Sequence, residues 1–111
     1  MMDLLFAWDD WNVEHIARHG VSPLEAEHVV RHAQAPWPEQ KGNDKLRVWG
    51  ASQRGTLIQV IFALKRLDEL EFDSLTAEQW ADLDDDDVVI YVIHAMPLTE
   101  SMKRKFRRRR K

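Results

Sequence analysis

The apolar positions of the chain fall into blocks, and their spacing predicts an alternation of strands and helices. Blocks 56–65 and 88–95 are apolar at nearly every position, which is typical of central strands covered on both faces of a sheet. Two shorter blocks, 4–8 and 45–51, predict further strands. Because Gly55 permits a tight reversal, we expect 45–51 and 56–65 to form an antiparallel hairpin.

Helical spacing follows a capping residue at three places. Asp9 and Asp10 can accept hydrogen bonds from the free N–H groups of a first helix, which Gly20 ends by adopting a left-handed conformation. The string at 22–25 is a capping box with proline at the first helical position, and it opens a second helix. Thr99 caps the last helix. The order of elements predicts an α+β fold, in which two N-terminal helices and a C-terminal basic helix pack on a small antiparallel sheet.

The composition limits the class of protein. A chain of 111 residues has room for one domain, which we place at 1–111. Hydrophobic residues make up 44% and charged residues 32%, a balance typical of a globular protein. The lack of cysteine excludes a disulfide scaffold, a thiolate zinc site and a cysteine nucleophile, and it suits the reducing cytoplasm. No apolar run approaches the ~20 residues that cross a bilayer, and the N-terminal stretch lacks the basic region of a signal peptide. We therefore expect a cytoplasmic protein with no membrane partner.

The formal net charge of −3 hides a strong segregation of charge. Residues 66–87 carry ten acidic side chains and one basic one, whereas residues 103–111 carry eight basic side chains and no acidic one. We interpret 66–87 as an acidic insertion and 99–111 as a polybasic helix. The insertion either shields the basic helix as a mimic of RNA or serves as a solubilising loop. A short helix expected within the insertion would be anchored by Leu75, Trp80 and Leu83.

Several strings of the chain resemble those of the BrnT family of bacterial toxins. The family pattern runs F-x-W-D, a helix, K/R-H-G-V-S and an E-A pair, and it closes with a strand followed by a basic helix. The resemblance covers most of the chain but not 66–87. Where the family often has S-A-R, this chain has His94-Ala95-Met96, so Met96 replaces the arginine. The matching strings are Phe6-Ala7-Trp8-Asp9, Arg18-His19-Gly20-Val21-Ser22, Glu25-Ala26-Glu27, Val48-Trp49-Gly50 with Gly55, and Val92-Ile93-His94-Ala95 leading to Arg110.

The resemblance implies the ribonuclease of a type II toxin–antitoxin pair, with a fold similar to that of RelE-like and barnase-like microbial ribonucleases. It also implies an antitoxin partner with a ribbon-helix-helix part that binds DNA, so that DNA would be reached only through the antitoxin. RNA is the expected substrate, and we expect no cofactor.

Cleavage of RNA without a metal needs a base for the 2′-OH, cations for the phosphate charge and an acid for the leaving 5′ oxygen. His94 is the first candidate for proton transfer, because it ends an apolar strand and histidine titrates near neutral pH. Its alternative role is a hydrogen bond to a loop. Lys45 and Arg47 alternate along a strand and would clamp the phosphate if their shared face meets the cleft; otherwise they are solvated charges. His19 is a further catalytic candidate, and its alternative role is to stabilise the end of the first helix.

Other cations and histidines are candidates for binding. The pairs His15/His19 and His28/His32 have the i, i+4 spacing that can ligate zinc. Because no H-E-x-x-H string and no obvious third ligand accompany them, we assign them to helix surfaces and expect no metal site. The candidate RNA-binding residues are Arg18, Arg54, Lys103, Arg104, Arg107 and Arg108.

The five tryptophans could stack on nucleobases, but most are expected in or beside the core. Trp37 stands between two prolines, and we expect it to be the exposed one. In the first helix, Val13, Ile16 and Ala17 have the spacing of an inward face. The tryptophans assigned to the core or its edge are Trp8, Trp49 and Trp80.

Three functions are compatible with the sequence, and the third of them is a small interaction module whose acidic segment pairs with a basic partner. The leading one is a metal-independent endoribonuclease of the toxin type, neutralised by its cognate antitoxin. The alternative is a non-catalytic member of the same fold that binds nucleic acid or protein through the basic helix. The loss of the family's arginine at Met96 and the acidic insertion both favour this alternative.

Overall fold

The central feature of the fold is a five-stranded mixed sheet. A computed structural model describes residues 4–70, 72–84 and 87–109. Parts of the predicted acidic insertion (71, 85 and 86) and the end of the predicted basic helix (110 and 111) therefore lie outside the described residues. Within those ranges, the sheet has the order β1-β5-β4-β3-β2. The strands are β1 (Phe6–Ala7), β2 (Glu39–Gln40), β3 (Leu46–Ala51), β4 (Leu57–Arg66) and β5 (Val88–Pro97).

One edge of the sheet corrects the predicted topology. The β3–β4 hairpin and the β4–β5 pair are antiparallel, as expected. β1, however, runs parallel to β5, with Phe6 opposite Ile90, so the sheet is mixed rather than antiparallel. Most of the chain separates β1 from β5, so no hairpin turn imposes an antiparallel direction on this edge. The other edge is β2, a strand that the sequence pattern does not predict, which pairs Glu39 with Arg47 of β3.

Helix starts follow the predicted capping chemistry. The Asp9 carboxylate accepts the N–H of Asn12 at 3.0 Å, and the Asn12 side chain accepts the N–H of Asp9 at 2.8 Å. Ser22 and Glu25 form the second capping box, and Gly20 adopts a φ of 75° after the first helix. No helix in the described ranges is long and apolar enough to cross a bilayer. The helices are α1 (Asp10–Ala17), α2 (Pro23–Arg31), α3 (Ala77–Asp82) and α4 (Glu100–Arg109).

Helices α2 and α4 pack on opposite faces of β3. Neighbouring residues of a strand point to opposite faces. On one face, a Cβ built at Gly50 would lie 3.4 Å from Cγ1 of Val29 on α2. On the other face, the Trp49 ring lies 6.5 Å from the Phe106 ring of α4. The chain is therefore an α+β protein whose sheet is covered on both sides at this point.

The tryptophan that is exposed differs from the expected one. Only 7% of the surface of Trp37 is accessible, because its ring stacks on Trp49 at 5.1 Å and lies 6.4 Å from Phe106. The prolines beside Trp37 indicated a loop, but this loop folds back onto the sheet. Trp11 in the first turn of α1 is 53% exposed instead.

The acidic insertion packs on the sheet through the predicted anchors. Leu75 is buried, and Trp80 and Leu83 are partly buried against it in a cluster that includes Ala7 and Val89. This cluster joins the insertion to β1 and β5. Before α3, the insertion forms two short 3₁₀ segments, Leu67–Glu69 and Phe72–Ser74.

The shielding of the basic helix that the sequence suggested has no ion pair to support it in the described ranges. Asp68 pairs with Arg66 at 3.7 Å, within the insertion itself. Arg109 of α4 pairs with Glu39 on β2 at 2.7 Å, and not with the insertion. In the described ranges, the contacts that hold the insertion on the sheet are those of its apolar anchors.

Candidate active site

His94 lies near the end of β5, beside an irregularity in the pairing with β4. Ile61 pairs with His94, whereas the next residue of β4, Phe62, pairs with Val92. Ile93 is therefore the extra residue of a bulge. Bulges redirect side chains, and His94 is half-buried and lines a cleft rather than the core.

Two histidines, one on α1 and one just beyond its end, converge on His94. His15 and His19 are four residues apart, so they lie on the same side of the helix and of the turn that continues it. The His19 ring lies 5.0 Å from the His94 ring and the His15 ring lies 5.8 Å from it, both in edge-on orientations. Trp11, a turn earlier, stacks on His15 at 4.7 Å with planes inclined by 9°. The structure thus joins two predicted catalytic residues, His94 and His19, and adds His15 and Trp11, which the sequence did not single out for catalysis.

The surroundings of His94 favour its neutral form. Burial, and the positive charge that His19 and His15 can carry, hold the pKa of His94 below its ordinary value of 6.5. A neutral imidazole has a free ring nitrogen that can accept a proton. At neutral pH, His94 is therefore in the form that a general base requires.

Lysines line the cleft beside His94. Lys45, a predicted phosphate ligand, lies on its wall together with Lys41, which sequence reasoning missed. The string 42–44 between them is a turn, in which Gly42 and Asp44 have positive φ values, and the N–H of Lys41 donates to the carbonyl of Lys45 at 2.8 Å. The turn composition of 42–44 was the available signal that Lys41 and Lys45 would lie together. Two ammonium groups near a half-buried histidine can hold the charge of a phosphate.

A second cleft adjoins the first along the same side of the sheet. Lys45 and Ile93 line both clefts, so the two adjoin at these residues. The second cleft adds Lys65 and Arg66 of β4, and one carboxylate, Glu69. A groove with cations at several points thus extends away from His94.

Arg47, the other predicted phosphate ligand, is held elsewhere. It lies in the same cross-strand row as Ile61 and His94, but its guanidinium forms a close ion pair with Glu39 and lies over the Trp49 ring at 5.1 Å. Burial raises the pKa of the Glu39 carboxyl, yet hydrogen bonds from Arg47 and Arg109 outweigh that effect and leave its pKa below the ordinary value. The structure therefore does not bring Arg47 together with Lys45 as one clamp.

The remaining predicted RNA-binding cations are spread over the surface. Arg54 at the hairpin turn is exposed and pairs with Glu25 at 3.2 Å, and Arg18 is exposed at the end of α1. Lys103 contacts Glu100 at 3.3 Å. Among the residues described, no ion pair involves three of the four exposed arginines of α4, namely Arg104, Arg107 and Arg108.

Several residues of the strings that resemble the BrnT family have structural roles. The Trp8 indole donates to the Glu27 carboxylate at 2.7 Å and so ties β1 to α2. Asp9 caps α1 and also accepts the hydroxyl of Tyr91 at 2.8 Å. Val21 is buried behind the turn at Gly20. These strings therefore explain how α1 and the turn after it, which supply two of the three converging histidines, are fixed beside β5.

The histidine pairs do not form a metal site in the part of the chain that the structure describes. No group of three or more histidine, aspartate or glutamate side chains in those ranges is arranged to hold a metal ion. His28 and His32 stack on each other at 4.1 Å on α2 and its end.

Comparison of the chain with protein-family models, with curated proteins and with solved structures gave no match.

Proposed function

We propose that the protein is a metal-independent endoribonuclease of the toxin type, with a RelE-like or barnase-like fold, which acts in the cytoplasm and is neutralised by a cognate antitoxin. The observation that carries the proposal is His94, whose neutral form is favoured and which lies in a cleft lined by Lys41 and Lys45. Neutral imidazole and fixed cations are the groups that such a reaction requires. The BrnT resemblance adds the antitoxin with its ribbon-helix-helix part to this proposal.

The proposed reaction uses the 2′-OH of the RNA as the nucleophile. His94 takes the 2′-OH proton while the oxygen attacks the adjacent phosphorus, and the bond to the 5′ oxygen breaks. Lys41 and Lys45 hold the charge that develops on the phosphate. His19, exposed beside His94, protonates the leaving 5′ oxygen. The products are a 2′,3′-cyclic phosphate and a 5′-hydroxyl end.

The direct test is to incubate the pure protein with single-stranded RNA, with and without a metal chelator. We expect cleavage at the same rate in both samples, with cyclic phosphate ends on the products. Cleavage that stops in the chelator and returns with added divalent metal would contradict the proposed chemistry.

A specific observation supports the alternative of a binding protein without catalysis. Arg104, Arg107 and Arg108 are exposed on α4, and their charges take part in no ion pair among the described residues. Such a face can bind phosphates without any catalytic group. RNA binding without cleavage in the chelator experiment would favour this alternative.

The contribution of α4 can be measured from the salt dependence of RNA binding. We expect the affinity to fall steeply with salt, with a log–log slope of roughly −0.7 for each phosphate neutralised on a single strand. Replacing Arg104, Arg107 and Arg108 with glutamine should flatten the slope by about 0.7 for each phosphate that is no longer neutralised. Fluorescence anisotropy with a labelled oligonucleotide over a range of salt concentrations measures this slope.

Arg31→Gln provides the control for this experiment, since Arg31 is also exposed on a helix but already pairs with Glu27 on α2. Its slope should match that of the unmodified protein. An unchanged slope in the triple variant would show that α4 does not contact the RNA, and would favour α4 as a surface for the antitoxin.

A further inference from the structure

The exposed face of Trp11 is the least expected feature beside the candidate active site. Trp11 is 53% exposed, although α1 buries other residues, Asn12 and Ile16, completely. Its ring is parallel to the His15 imidazole at 4.7 Å, which covers one face of the indole. Much of the exposed surface of Trp11 therefore belongs to the opposite face. Within the described residues, His15 is the ring partner of Trp11.

The stack is directly connected to His94. The His15 ring contacts both other rings, with its centroid 4.7 Å from that of Trp11 and 5.8 Å from that of His94. Trp11 and His94 are thus no further apart than the sum of these distances, a separation that one or two nucleotides of a single strand span. A phosphate placed at His94 would bring a neighbouring base to the indole.

We infer that Trp11 forms a nucleobase-binding subsite, in which the base next to the phosphate at His94 stacks on the free face of the indole. The inference rests on the proposed function and identifies its substrate as single-stranded RNA with an unpaired base at this position. Bases in a duplex are already stacked on both sides and cannot offer a free face. Because every base has a face that can stack, the subsite accepts any unpaired base.

The position on α1 makes this subsite rigid. Trp11 belongs to the first turn of a helix whose start is fixed by the capping box of Asp9 and Asn12. Asn12 is buried, and its side-chain amide donates to the carbonyl of Ala7 at 3.1 Å. The indole is therefore presented by an element that is tied to β1.

The test compares two strands that cannot be cleaved. One is a 2′-O-methyl hexa-adenylate, which lacks the nucleophile, and the other is a 2′-O-methyl abasic strand of the same length. Trp11→Ala should weaken binding of the adenylate by about 5- to 150-fold, the range for loss of one base–aromatic stack. Its affinity for the abasic strand should stay within about twofold of that of the unmodified protein. Trp11→Phe, which keeps an aromatic face, should retain most of the affinity for adenylate.

Leu24→Ala is the matched control, since Leu24 is a large apolar side chain that is 71% exposed on α2. It should change neither affinity. If Trp11→Ala lost equal affinity for both strands, the subsite would be overturned, because the indole would then only order α1. Unchanged affinity of Trp11→Ala for both strands would overturn the subsite as well.

The outcome separates this inference from the proposed function. Base-dependent binding through Trp11, in a protein that does not cleave RNA, would uphold the subsite and overturn the endoribonuclease. If the protein cleaves RNA and Trp11→Ala leaves its affinity for the adenylate unchanged, the endoribonuclease is upheld and the subsite is overturned.

Discussion

Replacing His94 with alanine is expected to lower the rate of RNA cleavage by about 10²–10⁴-fold, the usual contribution of a general base or acid. Of the three converging histidines, His94 is the one that shares a cleft with Lys41 and Lys45. Removal of the imidazole leaves the lysines to stabilise phosphate charge but takes away the group that accepts the 2′-OH proton. We therefore expect the loss in kcat, with RNA affinity changed little.

The pH dependence of cleavage gives an independent measure of the same role. The pKa of His94 lies below 6.5, because burial and the charges of His19 and His15 disfavour the imidazolium. A base is active when unprotonated, so kcat/KM should fall as the pH decreases through that lowered pKa. The acidic limb of the profile should accordingly lie below pH 6.5 and disappear from the residual activity of His94→Ala.

His28→Ala serves as the control, since His28 belongs to the stacked pair on α2 and not to the converging cluster. It should cleave RNA at the unmodified rate. A folded His94→Ala protein that cleaves as fast as the His28→Ala protein would exclude His94 as the base.

The parts of the fold that the sequence predicts well are those decided by local chemistry. The capping box at Ser22 and Glu25 determines the start of α2, and the left-handed conformation of Gly20 follows from its lack of a side chain. The β3–β4 hairpin follows from a turn at Gly55 between two apolar segments. Each of these needs only residues within a few positions of one another.

The parts that escaped prediction depend on contacts between distant segments. β1 has two residues, and its parallel direction is fixed by pairing with β5 at the far end of the chain. β2 pairs Glu39 with Arg47, and the ion pair between these side chains is visible only once the loop from α2 has folded back. Because Arg47 forms this ion pair, it does not act with Lys45 as the phosphate clamp that the alternation of residues along the strand predicted.

The candidate site could be predicted only in part from the sequence, because the orientation of α1 depends on a contact with the preceding strand. Helical spacing predicted an inward face of Val13, Ile16 and Ala17, but the structure buries Asn12 and Ile16 and leaves Ala17 exposed. Asn12 can be buried because its amide donates to a backbone carbonyl of the preceding strand. Hydrophobic periodicity does not predict such a hydrogen bond. The helix is rotated accordingly, so that His15 on α1 and His19 just beyond its end face His94. Trp11 stacks on His15.

Truncation of Phe106 to alanine is expected to lower the free energy of unfolding by about 3–5 kcal/mol, the usual cost for a buried phenylalanine. Phe106 is 6% exposed, and its ring lies 6.4 Å from Trp37 and 6.5 Å from Trp49. It is the buried residue through which the highly charged α4 is held on the sheet. Since small domains are stable by only about 5–15 kcal/mol, the loss should be a large part of the total. Urea unfolding followed by tryptophan fluorescence measures it.

Lys105→Ala is the matched control for this prediction, because Lys105 is the exposed neighbour of Phe106 on the same helix. It should change the free energy of unfolding by less than about 0.5 kcal/mol. Phe106→Leu, which keeps most of the apolar volume, should cost less than Phe106→Ala. If Phe106→Ala left the urea midpoint unchanged and only hastened hydrogen exchange in α4, the helix would be undocking by itself from an otherwise stable domain. That result would contradict the role of Phe106 in the core, and α4 would then be a detachable basic arm rather than part of the folded unit.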